Sequence, residues 1–345
     1  MVTIEKLGIL LSPSEKDFEN NSVINPGSFQ EGQTVHLLYR ATQYGKLNTI
    51  GYAKIDGPNK IAERWDHPLL LADTDYDKDG LKDAKIVKIE DTYYITYAAY
   101  NGMNTVGALA TSKDLISFEK HGIITPKMNY KDYENLIKYC GKKLNPKYHH
   151  FYNLFKEIGM NDDDFRMIRD NDLVLFPRKI NGKFALLHSL YPGIQIVYFE
   201  DFKDLTPEFW EDYLKNLAEY IVLDPKHIYE IDHIAVGCVP IETDSGWLLI
   251  YHSVEETPTG KTYHARAALL QIDKPEIEIS RLPDPLFSPT KLWEKGNEGA
   301  INYVFPTGTA LFGNDLYVYY GAAKRQIAVA KLSLNELLEE LRKQP

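Results

Sequence analysis

The sequence predicts an all-β fold, a five-bladed β-propeller with a helical insertion between blades 2 and 3 and a C-terminal helix. Three observations point there. A strand rich in tyrosine or histidine occurs five times, at Thr34–Arg40, Tyr93–Tyr97, Lys183–His188, Gly246–His252 and Asp315–Tyr320. A partner of small residues follows, as in Thr49–Ala53, Val106–Ala110 and Gln326–Ala330. The units recur at roughly 60 residues, apart from one stretched interval, which fits propeller blades.

Local signals justify each element. Asn181-Gly182 between Leu175–Ile180 and Lys183–Leu187 is the strongest hairpin signal in the chain. Asp244-Ser245-Gly246 and Gly313-Asn314-Asp315 take the same place in later units, while Asp56-Gly57-Pro58 and Glu90-Asp91 punctuate the earlier ones. The recurrence predicts antiparallel meanders rather than βαβ crossovers. Residues 128–170 break the rhythm. In Tyr133–Tyr139 and Phe151–Ile158 apolar residues recur every three or four positions, predicting short helices that either decorate the surface or form a rim over a central site. Ser333 and Glu336 have capping-box spacing and the following leucines share a face, predicting a helix over 333–342. The whole chain, 1–345, is expected to form one domain.

Composition narrows the function. Hydrophobic residues make up 44% of the chain, enough for a substantial core, and 24 tyrosines suit half-buried strands as well as stacking on sugar rings. A net charge of −10 disfavours nucleic acid and anionic membrane as partners. No apolar run approaches the eighteen or so residues of a membrane span. Met1–Gly8 is too polar for the core of a signal peptide, and Cys140 and Cys238 suggest thiols rather than a disulfide framework, so a cytoplasmic location is expected.

Metal and nucleotide motifs fail on inspection. Asp75–Gly80 has the first half of a calcium loop, but Ile86 stands where the twelfth-position glutamate is required. His149-His150 lacks a second ligand pair, and no phosphate loop, dinucleotide fingerprint or nucleophile elbow occurs. No metal or organic cofactor is therefore expected. What remains is acids at strand starts: Asp83, Asp172 and Asp232, the last beside His233. Innermost propeller strands line the axis, so such acids can converge. Facing carboxyl groups are what glycosidic cleavage uses, one as proton donor and another to activate water.

The chain resembles glycoside hydrolase family 130, five-bladed propellers that include β-mannoside phosphorylases and β-mannosidases. The matching strings are Asn25-Pro26-Gly27, Leu37–Ala41, Ala108–Asp114, Leu175–Lys183, Gly246–His252, Tyr303–Gly308 and Tyr319–Ala323, in family order. The family's Gly-x-Glu-Asp-Pro-Arg string corresponds to Gly80–Lys85, so the resemblance implies Asp83 as proton donor, with Lys82, Ala84 and Lys85 replacing Glu, Pro and Arg. It implies sugar contacts by Asn25 and Arg40. Asp172, His188, His252, Tyr263 and Lys324 are further expected substrate-binding residues.

Three departures bear on mechanism. Asn171 replaces the lysine of a Lys-Asp pair, Ser189 replaces the arginine of a His-Arg pair that helps hold phosphate, and Lys324 replaces an acid. Losing a guanidinium fork weakens dianion binding, although Lys82 and Lys85 offer partial compensation. The expected function is accordingly cleavage of a β-linked mannoside or related glycoside by water with inversion. Glu230, Asp232, Glu255 and Glu256 are the candidate bases. Two alternatives stand beside it: phosphorolysis with inorganic phosphate as co-substrate, and a non-catalytic carbohydrate-binding propeller. An oligosaccharide is the expected partner, and a homo-oligomer is compatible with the insertion.

Overall fold

The computed structural model describes residues 2–45, 47–150, 153, 166–258, 260–296 and 301–344. It is mostly β, with 48% strand against 16% helix. After the N-terminal strand β1 (Glu5–Leu11), five antiparallel runs follow among the described residues. The first is β2 (Ser22–Glu31), β3 (Thr34–Thr42), β4 (Asn48–Asp56) and β5 (Lys60–Arg64). The second is β6 (Gly80–Ile89), β7 (Thr92–Tyr100), β8 (Thr105–Ser112) and β9 (Glu119–Ile123). The third is β10 (Val174–Leu175), β11 (Phe184–His188), β12 (Ile194–Phe199) and β13 (Ile221–Leu223).

In the fourth run the first strand is broken into β14 (His233–Val236) and β15 (Ile241–Thr243), followed by β16 (Gly246–Thr257), β17 (Gly260–Leu270) and β18 (Glu278–Arg281). The last contains β19 (Asn302–Phe312), β20 (Asp315–Ala322) and β21 (Gln326–Ser333), and β1 pairs antiparallel with β21 to complete it. The two chain ends are thus tied into one sheet. Asn181 and Gly182 both take positive φ, 50° and 81°, and Ile180 and Lys183 exchange backbone hydrogen bonds across them, the two-residue hairpin that the sequence predicts.

Three α-helices are described. α1 (Tyr130–Ile137) lies in the predicted insertion, capped by Asn129, whose side chain accepts from the Asp132 N–H. The helix predicted over 151–158 falls outside the described residues apart from Asn153. α2 (Pro207–Lys215), capped by Thr206, was not anticipated; it packs Trp210, Tyr213 and Leu214 against Tyr133, Ile137 and Cys140. Thr206-Pro207-Glu208 carried the start signal, a cap followed by proline in the first turn. α3 (Leu334–Arg342) begins where Ser333 accepts from Glu336 N–H, and buries Leu337, Leu338 and Leu341.

The runs meet closely at their first strands. A Cβ on Gly27 would stand 2.2 Å from the Ala84 carbonyl oxygen, and one on Gly308 2.6 Å from that of Pro26. Only glycine permits this approach of β2 to β6 and of β19 to β2.

A second device recurs. Just before the first strand of each run lies an acid with no exposed surface: Glu19, Asp77, Asp170, Glu230 and Glu294. Glu19 accepts from Tyr39 Oη (2.7 Å) and pairs with Arg64 (2.9 Å). Glu230 accepts from Tyr251 Oη (2.7 Å) and pairs with Arg266 and Arg281, both at 3.2 Å. Glu294 accepts from Tyr320 Oη (2.7 Å) and pairs with Lys6 (2.6 Å). Asp77 pairs with Lys120 at 2.6 Å and accepts from the Asp73 and Thr74 N–H groups. Asp170 instead meets His188 Nδ1 at 2.8 Å. Arg64, Lys120, Arg281 and Lys6 all sit on the fourth strand of their run, so these four clasps tie the start of a run to its outer edge, while that of Asp170 reaches only the second strand.

Removing one member strands the others in a low-dielectric interior. Glu230→Gln should therefore cost about 3 kcal/mol or more by urea unfolding. The exposed Arg178–Glu242 pair, 2.7 Å apart, should yield about 1 kcal/mol or less on Glu242→Gln. Equal losses at the two sites would refute the clasp.

Candidate active site

Three first strands are irregular where they converge. The register of β2 against β3 shifts between Ile24 and Gly27, that of β6 against β7 between Lys82 and Lys85, and that of β19 against β20 between Pro306 and Gly308. Asn25 and Asp83 sit in the first two bulges with positive φ, 52° and 55°. Such bulges re-aim side chains, and a left-handed non-glycine residue carries strain of about 1 kcal/mol or more. The two side chains meet: Asn25 Nδ2 donates to Asp83 Oδ1 at 2.7 Å, and Tyr303 Oη donates to Asn25 Oδ1 at 3.2 Å.

They line a cleft of about 350 Å³. β3 contributes Arg40 and β6 contributes Lys82 and Asp83. The segment leading into β10 supplies Arg169, Asn171 and Asp172, and the turn after β20 supplies Lys324. Aromatic rings form the remaining wall. Tyr303 and Phe305 alternate along β19 and lie nearly parallel, 5.3 Å apart, with Tyr263 5.0 Å from Tyr303 and His252 4.1 Å from Phe305. Such a wall suits the apolar face of a sugar.

The charges are uneven. Arg40, Lys82, Arg169 and Lys324 face Asp83 and Asp172, four cations against two carboxyls. Burial pushes Asp172 up to about 6, helped by the Asp83 charge and partly offset by Arg169 and Lys85. Burial and the neighbouring Arg40 pull Lys82 down to about 8, with Asp83 opposing them. Burial holds His252 well below the usual histidine range, with His233 and Lys85 adding to it, so its ring is neutral. Its Nδ1 has no hydrogen-bond partner among the described residues.

Asn25, Arg40, Asp83, Asp172, His252, Tyr263 and Lys324, all expected from the sequence, line this one cleft. Others lie elsewhere. Glu230 is consumed by its arginine clasp. Asp232 is bound by Lys261 (2.6 Å) and His233 (3.3 Å), and Glu255 lies 3.2 Å from His264. Neither they nor Glu256 line the cleft. His188, fully buried between Asp170 and Tyr213, is a core residue and not a sugar contact. Lys85 is buried behind Asp83, donating to its carbonyl oxygen at 3.1 Å, so it cannot stand in for the lost arginine.

Sequence reasoning missed Arg169, Tyr191, Tyr303 and Phe305. The last two carried a usable signal, since alternate residues of a strand share a face. Arg169 lies in irregular backbone and carried none. Among the described residues no group of three potential metal ligands occurs.

The family model for glycoside hydrolase family 130, described as beta-1,4-mannooligosaccharide phosphorylase, matches residues 12–343. A 1,2-beta-oligomannan phosphorylase of Thermoanaerobacter sp. (strain X514) is 31% identical, covering 98% of this chain and 99% of its own. A beta-1,2-mannobiose phosphorylase from the same organism is 29% identical over 93% of each chain. The solved beta-1,2-mannobiose phosphorylase of Listeria innocua, in complex with beta-1,2-mannobiose, superposes with a TM-score of 0.72 over 99% of this chain and 100% of its own, at 22% identity.

The raised Asp172 carboxyl has a consequence for stability. Its folded value lies above the ordinary 3.8, so folding favours the protonated acid, and stability is lost as pH rises through about 6. Asp172→Asn should thus stabilise the fold at pH 8 by up to about 3 kcal/mol, and the gain should vanish near pH 4. Chemical denaturation at both pH values checks this; a pH-independent difference would contradict it.

Proposed function

The chain belongs to glycoside hydrolase family 130, whose members act on glycosides, and from that premise we propose that it is a β-mannoside phosphorylase, with β-1,2-linked oligomannosides as its substrates. We read its five antiparallel runs as the blades of a propeller, with the cleft at the axis. The observation that carries the phosphorylase reading is that four cations, Arg40, Lys82, Arg169 and Lys324, line the cleft with Asp83. A phosphate dianion needs fixed positive charge, whereas a neutral water needs a carboxylate base. The carboxylates expected to act as base, Glu230, Asp232, Glu255 and Glu256, do not line the cleft, which removes the support for hydrolysis as the first reading.

The chemistry follows from the arrangement. The mannosyl ring lies against the Tyr303–Phe305 wall. A phosphate oxygen attacks C1 from the side opposite the leaving group, forming one C–O bond as the glycosidic C–O bond breaks. Asp83 supplies the proton to the departing oxygen, directly or through a sugar hydroxyl, and Asn25 fixes its carboxyl through Oδ1. Phosphate is itself the nucleophile, so no enzymic base is needed. The configuration inverts, and the product is α-mannose 1-phosphate.

With β-1,2-mannobiose and β-1,2-oligomannan, product analysis should show sugar 1-phosphate only when inorganic phosphate is present. Free mannose at equal rates with and without phosphate would overturn the reading in favour of hydrolysis. Asp83→Asn should lower turnover by at least about a thousandfold with the fold intact, and near-normal turnover would remove Asp83 from its role. As pH rises through about 8, Lys82 loses its proton and the KM for phosphate should climb while that for the mannoside holds. A flat phosphate KM from pH 7 to 9 would exclude Lys82 from the phosphate site.

A further inference from the structure

Two arginines of the cleft are held in the same way. Arg40 Nε donates to Asn48 Oδ1 at 3.0 Å, and Arg169 Nε donates to Asn171 Oδ1 at 2.7 Å. One bond at the inner edge fixes the plane of each guanidinium. Of its five N–H donors one is used, and the two terminal nitrogens keep the other four. Those nitrogens make no hydrogen bond or ion pair with any described residue in either arginine. Three arginines of the buried clasps spend theirs: Arg64 on Glu19, Arg266 on Glu230 and backbone carbonyls, and Arg281 on Glu278 and Glu230. An oriented guanidinium whose fork is left open in a cleft is a site for a planar or tetrahedral oxyanion.

The position that the resemblance would assign to phosphate is closed, and a neighbouring lysine position has lost its charge. Ser189 replaces an arginine; it is 1% exposed and its hydroxyl accepts from the Val236 N–H at 3.1 Å, joining the third run to the fourth. Asn171 replaces a lysine; it is 7% exposed and its oxygen is occupied by Arg169. Two cationic positions are gone, and one guanidinium rooted two residues before Asn171 opens onto the same cleft.

We infer that Arg169, oriented by Asn171, is the phosphate-binding arginine of this chain and forms a two-armed clamp with Arg40. The inference rests on the phosphorolysis reading and adds the residue that makes the site selective for a dianion. Asn171 is a positioning residue that acts only through Arg169. The clasp between Asp170 and His188 anchors the backbone between them, so the fork is set by the core rather than by a free loop.

The test measures KM for inorganic phosphate and for β-1,2-mannobiose separately in Arg169→Ala, Arg169→Lys and Asn171→Ala, alongside binding of inorganic phosphate alone by calorimetry. Arg169→Ala should raise the phosphate KM about 10- to 100-fold and leave the mannoside KM within about threefold. Arg169→Lys keeps the charge but not the fork, and should recover only part of the loss. Asn171→Ala should raise the phosphate KM several-fold with the mannoside KM unmoved, a split that a merely structural role would not give. Wild-type enzyme that forms sugar 1-phosphate, joined to an unchanged phosphate KM in both Arg169 variants, would overturn the inference and leave phosphorolysis standing. Wild-type enzyme that releases free sugar without phosphate, yet binds phosphate only when Arg169 is present, would uphold the anion site and overturn the reaction. Loss of mannoside and phosphate affinity in equal measure would also overturn it, as would a wild-type protein that binds no phosphate.

Discussion

The constraint on which the rest of the structure depends is a buried acid at the start of each antiparallel run. A carboxylate taken out of water needs compensation. For Glu19, Glu230 and Glu294 it comes from a tyrosine on the second strand and a cation on the fourth, for Asp77 from the fourth-strand Lys120 and two backbone N–H groups, and for Asp170 from His188 on the second strand. The acid therefore fixes where the first strand begins relative to the other strands of its run. Asn25 follows Glu19 by six residues and Asp83 follows Asp77 by six, and both land in a bulge with left-handed backbone. The clasp measures out the distance from a rigid anchor to a strained residue, and the strain turns a side chain into the cleft.

The same clasps separate structural charge from functional charge. Lys6, Arg64, Lys120, Arg266 and Arg281 are neutralised where they stand. The chain as a whole is acidic, at −10, yet the cations left over in the cleft outnumber the carboxyls there. Walls of low dielectric focus that local excess, so an anion meets a positive site inside a negative protein. Glu230 shows why the distinction cannot be drawn by residue type: an acid just before a first strand looks catalytic until its arginines are seen.

Much of the β architecture was legible because it is written locally. Asn181-Gly182 specifies its turn by backbone preference, Ser333 and Glu336 mark a helix start, and the unbroken apolar run Trp247–Tyr251 marks a strand buried on both faces. Asp83 was legible through its string, and Arg40 through the strand that carries it. The missing pieces depend on partners far away in sequence. Lys6 and Glu294 are 288 residues apart, and nothing near either announces the other. His188 reads as a site residue because histidine is versatile; only the positions of Asp170 and Tyr213 make it core. Arg169 could not be found because its segment has no period, and its orientation comes from one asparagine oxygen.

On the phosphorolysis reading, that last dependence accounts for phosphate recognition after the arginine expected for it has changed. A dianion responds to the placement of donors in space, not to the strand from which they come. Just past the second strand of the third run, an arginine at position 189 would replace a hydroxyl that now joins two runs through Val236. Supplying the guanidinium from the segment ahead of β10 leaves that junction closed and brings the charge in beside Asp172. The arrangement also exacts a balance. Burial and the Asp83 charge raise the Asp172 carboxyl, while Arg169 lowers it, so Asp172 responds to both neighbours. A change at any one of Asp83, Asp172 or Arg169 is therefore felt at the others, and the cleft behaves as one electrostatic unit hung on the clasp of Asp170.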